Sequence, residues 1–281
     1  MAGLSAPTNK LLTAGLTERV IPIEVRGVVE MRSVQPVAAL ARLGPLNGFA
    51  GKELERFALR EGRGRELLIY TVERAARHLK AWRARGFRGP LYIPLHTEDL
   101  EDRTLATSFD IIAKSQNIEQ SSLIFVIGLS DYLTRGLDVS AIMRVRKAGC
   151  GVALSIDGRQ PPKFMRLGPH PFTAAMVGGK EVWKRLRTIG PGRLGALGAW
   201  IGWAESQGLE RTALGLVNAT EQETARLYGF SLGEGPHYSD FMPARTFITA
   251  DGRVAGDLES AVISAFTRRE QPQAAATLRR A

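Results

Sequence analysis

Short, nearly continuous apolar runs rich in β-branched residues alternate with longer stretches whose apolar residues recur every three or four positions. This alternation runs through most of the 281-residue chain. The runs at 91–95, 123–128, 151–155 and 173–177 lack a polar face, which suits strands buried on both sides of a parallel sheet. Further strands are expected at 21–29, 34–41 and 212–217. Between them, Leu68, Val72, Ala75, Leu79 and Trp82 form one helical stripe, and the stretch 101–115 carries Leu105, Phe109 and Ile112 at the same period. Asp138 can cap a helix that buries Val139, Ile142 and Met143 and stops at Gly149. Thr220 and Glu223 have capping-box spacing for a helix ending at Tyr228-Gly229. Repeated strand–helix units of this kind favour a (β/α) barrel over an open sheet. A leader at 1–19 precedes the barrel at 20–245. An extension at 246–281 begins as a hairpin turning at Asp251-Gly252, continues as a helix over 257–266 and ends in an Ala-, Gln- and Arg-rich tail.

Charge narrows the partners without naming one. Lys and Arg number 38 against 28 Asp and Glu, a formal net charge of +10. The densest basic group, Arg74, Arg77, Lys80, Arg83, Arg85 and Arg88, falls on the Leu68–Trp82 helix and its exit. At helical spacing it reads as a solvated face, so nucleic acid is not expected as a partner. No apolar run approaches the ~20 residues of a membrane-spanning helix. No secretory signal is legible at the N-terminus, and a cytoplasmic protein without a membrane partner is expected.

The isolated motifs have plain structural explanations. Gly190-Pro191-Gly192-Arg193-Leu194-Gly195 fits a dinucleotide fingerprint, but the stretch before it is helical and not the strand that such a site requires. His78, His96, His170 and His237 never take metal-ligand spacing within one element. Cys150, the single cysteine, opens an apolar strand and reads as a small buried hydrophobe. Asn218-Ala219-Thr220 is a glycosylation triplet only in a secreted chain.

Read in order, the segments over 21–243 resemble an EAL domain, the cyclic di-GMP phosphodiesterase module of bacterial signalling proteins. Pro22-Ile23 is similar to the Gln-Pro-Ile of the family's first strand. Val37-Ala38-Ala39-Leu40-Ala41-Arg42-Leu43 stands where Glu-Ala-Leu-x-Arg belongs, and Leu91-Tyr92-Ile93-Pro94-Leu95-His96 is similar to the strand reading Val-Asn-x-Ser. The run from Ser122 to Asp131 resembles the strand ending Glu-x-Thr-Glu, and the run from Val145 to Leu154 resembles the approach to Asp-Asp-Phe-Gly. Ala213 to Gln222 is similar to the Glu-Gly-Val-Glu-Thr region, and Glu234-Gly235 with Pro243 takes the place of the closing Gln-Gly-Tyr and Pro.

The resemblance implies a (β/α)8 barrel of TIM type whose first strand is antiparallel, with the site at the C-terminal ends of the strands. It also implies divalent cations held by acidic residues and an Asn, with a Lys assisting the attacking water. Carried over position by position, the signature Glu is Ala38 and the Asn is Pro94. The first Glu of Glu-x-Thr-Glu is Gly128 or Ile127, and the paired Asp residues are Ser155 and Ile156. The Lys position falls near Met176, the later Glu at Leu214 and the closing Gln at Glu234, while Arg42 survives. A hard cation prefers oxygen ligands, which alanine, proline, glycine, isoleucine and leucine side chains do not supply. The expectation is therefore no catalytic metal, no cofactor and no enzyme, but a regulatory protein acting through a protein partner, with a homodimer implied by the family. Cyclic di-GMP itself is not expected to bind. Two alternatives remain open: a receptor that holds cyclic di-GMP or another anionic nucleotide through Arg42 without cutting it, where the other reading of Arg42 is a surface or inter-strand ion pair, and a phosphodiesterase using the displaced carboxylates Asp131, Asp157, Glu234 and Asp240.

Overall fold

A computed structural model of the chain describes residues 7–129, 139–157, 171–179, 182–189, 195–249 and 253–254. Helix α1 (Asn9–Thr17) begins where the Thr8 hydroxyl accepts from the Leu11 amide. Strands β1 (Ile23–Glu30) and β2 (Pro36–Leu43) pair antiparallel from Ile23 opposite Leu43 to Val28 opposite Ala38. β2 starts at Pro36 rather than at Val34 because Val34 sits in the left-handed region, φ 55°, as the Val34 amide bonds the Glu30 carbonyl and closes the turn.

Helices α2 (Gly51–Arg60) and α3 (Gly64–Ala84) follow, then β3 (Leu91–Pro94), α4 (Leu105–Gln116) and β4 (Leu123–Gly128). Next come α5 (Val139–Lys147), β5 (Gly151–Ile156), β6 (Ala174–Gly178), α6 (Val182–Ile189) and α7 (Gly195–Ser206). The described chain closes with β7 (Glu210–Leu214), α8 (Ala219–Leu227), β8 (Leu232–Gly233) and β9 (Met242–Pro243). Strands β2 to β8 pair in parallel in sequence order, and β1 joins β8 to β2 antiparallel, closing a (β/α)8 barrel. β9 pairs with the opening residues of β1. The expected α/β barrel with a reversed first strand is therefore the fold.

Alternation along each strand divides the core. Ala39, Ala41, Phe125, Ile127, Val152, Leu154, Ala175 and Val177 pack outward with the helices, where Phe109 of α4 stacks on Phe125 at 4.0 Å. Val28, Ala38, Tyr92, Ala153, Ala174 and Met176 form a separate cluster inside the barrel, with Leu40, Ile124, Val126, Leu214 and Leu232 against it. The α3 stripe, Leu68, Val72, Ala75, Leu79 and Trp82, is buried as its period requires.

Three local expectations change. Val139 and Met143 of α5 are 39% exposed, because Ala141, Ile142 and Val145 supply the buried face. The cap of α8 is Asn218, whose side chain accepts from the Glu221 amide while Glu221 reaches back to the Val217 amide. β7 runs over 210–214 and stops before Gly215, which takes φ 71°. Beyond β9, Phe247 and Ile248 enter the outer core, and Trp82 donates to the Ala244 carbonyl at 3.0 Å. Ile248 pairs antiparallel with Val254, as a hairpin there requires, whereas its turn at Asp251-Gly252 and the expected helix over 257–266 lie outside the described residues.

Candidate functional site

The carried-over positions separate by parity. Ala38, Met176 and Leu214 belong to the apolar cluster inside the barrel. Gly128, Ser155 and Met176 stand in register on β4, β5 and β6, and Pro94 pairs with Val126. Ser155 alternates with the outward Leu154 and Ile156, so the expected Ser155–Ile156 pair divides: Ile156 packs outward with the helices. Ala38 also stands apart. Leu40 pairs with Tyr92, which places Ala38 on the N-terminal side of the barrel relative to Pro94. Beneath them Tyr92 fills the interior and donates to Glu210 Oε1 at 2.8 Å. Burial and that carboxylate push its phenol far above the usual range.

Arg42, near the C-terminal end of β2, stands at the mouth. Its guanidinium pairs with Glu24 of β1 at 2.8 Å and lies 3.7 Å from the centre of the Phe241 ring. Arg26, one inward position along β1, approaches the same ring at 4.2 Å and pairs with Glu234 at 2.7 Å. Glu234 also accepts the Gly215 amide, so its carboxylate is fixed on both oxygens. Gly235 lets the chain pass here, because a Cβ would lie 2.2 Å from the Leu216 carbonyl oxygen. The mouth is thus a row of two cations, two carboxylates and one aromatic ring.

Arg42 also lines a cleft toward α2, with Glu55, Pro94, His96 and Asp99 on its walls. Burial raises the Glu55 carboxyl against the pull of His96, Lys52 and Arg42. Burial likewise lifts Asp99 to about 6, with His96 opposing the shift. Among the described residues no group of three His, Cys, Asp or Glu side chains is arranged to hold a metal ion. Of the displaced carboxylates, Glu234 is committed to Arg26, Asp240 is exposed, Asp157 follows β5, and Asp131 lies outside the described residues.

The remaining motifs scatter. His78 lies on α3, where burial and the neighbouring Arg74 and Arg77 lower it to about 4. His237 bonds Gln222 at 2.9 Å, and His170 lies outside the described residues. Cys150 is wholly buried, and burial pushes its thiol up to about 12. The Gly190–Gly195 pattern follows helix α6, and Gly190 to Leu194 lie outside the described residues. Sequence reasoning passed over Glu24, Arg26, Glu55, Asp99 and Phe241. The first two had a legible signal, being polar at alternate positions of the otherwise apolar run Ile23-Glu24-Val25-Arg26.

A closed eight-stranded barrel with an antiparallel first strand and a polar row at the strand ends is a (β/α)8 barrel of TIM type. The EAL domain family model matches residues 30–240, most of the chain, and the protein belongs to that family. No curated protein matches the chain in sequence. Solved structures match at low identity. The Xanthomonas citri FimX EAL domain in complex with c-diGMP is 15% identical, with TM-score 0.70 over 83% of this chain and 92% of that one. The PaMucR phosphodiesterase in its c-di-GMP complex is 15% identical, with TM-score 0.72 over 83% and 96%. The EAL domain of Mycobacterium smegmatis DcpA is 20% identical, with TM-score 0.66 over 84% and 100%. The expectation that cyclic di-GMP does not bind is corrected here, since the same barrel carries that ligand in two of these neighbours at 15% identity. Among the described residues no helix is long and apolar enough to cross a membrane.

Proposed function

We propose that this chain is an EAL domain that holds cyclic di-GMP without hydrolysing it and reports the bound state through contact with a protein partner. The carrying observation is the apolar interior: Ala38, Met176 and Leu214 lie in one hydrocarbon cluster. A magnesium or calcium ion demands about six oxygen ligands at 2.0–2.6 Å. Of the positions facing that interior, Pro94, Gly128 and Ser155 add a single hydroxyl, so the side chains do not fit the family's cations. Recognition of the ligand does not need them. A guanidinium pairs with a phosphodiester through charge-assisted hydrogen bonds, and Arg42 stands at the mouth with its side chain 50% exposed.

Calorimetric titration with cyclic di-GMP, with and without manganese, tests the reading, with chromatography of the mixture for linear product. The expected result is heat independent of metal and no product. Turnover abolished by a chelator overturns the non-hydrolytic part; absence of heat in both conditions overturns the receptor part.

A further inference from the structure

The two arginines at the mouth are already engaged. Arg42 Nε and Nη2 reach the same Glu24 oxygen at 2.9 and 2.8 Å, and the guanidinium lies 3.7 Å from the Phe241 ring centre. Arg26 faces the same ring at 4.2 Å, holds Glu234 at 2.7 Å, and keeps its Nε buried without a hydrogen-bond partner. The ring is carried by a short segment anchored at both ends. On one side, His237 donates its amide to the Leu216 carbonyl at 2.9 Å and Tyr238 to the Gly235 carbonyl at 3.0 Å. On the other, Met242 and Pro243 pair with Val25 and Glu24. Phe241 itself, between these anchors, is only half-buried.

We propose that the segment Asp240–Pro243 is an internal strap that holds the mouth closed, with Phe241 covering both guanidiniums while Glu24 stands in for a ligand's anionic group. The inference rests on the receptor reading and specifies how that site is regulated: an anionic dinucleotide engages Arg42 only after Phe241 swings off it and Glu24 gives up its pair. The exchange is feasible because the Arg42–Glu24 pair is partly solvated, with the Arg42 side chain 50% exposed, whereas the Arg26–Glu234 pair is buried and stays.

Two measurements on the full chain test this. In hydrogen exchange, Phe241→Ala and Glu24→Gln should each speed exchange of the peptide spanning the strap while the β4–β6 peptides stay unchanged; equal strap protection in both variants overturns the proposal. In metal-free calorimetry, both variants should bind cyclic di-GMP about two- to fivefold more tightly than the unmodified chain, from the size of one exposed cation–π contact or one partly solvated ion pair. Equal or weaker binding by Phe241→Ala overturns the strap and assigns the ring to ligand contact. Faster strap exchange with no binding by any of the three proteins overturns the receptor reading and leaves the strap as a closed element.

Discussion

Asp99 lies beneath the cleft behind Arg42, 6% exposed, with its carboxyl lifted to about 6 by burial. An acid whose folded value is raised costs nothing below its unfolded value, where both states are protonated. Its penalty grows as pH rises from about 4 through about 6, where the unfolded chain ionises first. Asp99→Asn should therefore raise stability at pH 7.5 by about 1–2 kcal/mol in urea unfolding, with the gain vanishing near pH 4. A gain that persists at pH 4 would show that the charge is not its source. Neither Asp99 nor Glu55 was legible as a site residue. Each looks like an ordinary polar position in its own segment, and only the packing of α2 and α3 at the ends of β2 and β3 sets both on one cleft.

Helix α3 was legible because a 21-residue helix repeats its apolar period often enough to fix which side is buried. Helix α5 was less so. Nine residues give the period few repeats, and small Ala141 took a core place that a volume-weighted reading gives to Met143. The cap of α8 shows the same limit at an end: Thr220 with Glu223 and Asn218 with Glu221 have equal spacing, and the backbone chose the pair that also closes onto the Val217 amide. Asn218→Ala should cost about 1 kcal/mol, while Thr220→Ala should cost much less, both read from the urea midpoint. Equal costs would return the cap to Thr220.

For the barrel as a whole, an interior lined by Ala38, Met176 and Leu214 has a consequence for cations that needs no nucleotide. A ligand that binds only the folded state raises the melting temperature by mass action. Millimolar magnesium, manganese or a chelator should each leave the melting temperature within about 1 °C, where a bound structural ion would shift it by several degrees. A manganese-dependent rise would mean that carboxylates converge on a cation after all.

The strands, the long helices, the reversed first strand through its family resemblance, and the apolar character of Ala38, Met176 and Leu214 were all present in the order of residues. Periodicity and side-chain chemistry are local properties, and each strand carries them in full. Which side chains meet at the mouth was settled only by barrel closure. Arg26 and Glu234 are 208 positions apart, and Phe241 reaches Arg42 because β9 pairs with the start of β1. A period tells which side of its own element a residue takes. What stands opposite depends on register between distant strands, and that register exists only once the whole sheet has closed on itself.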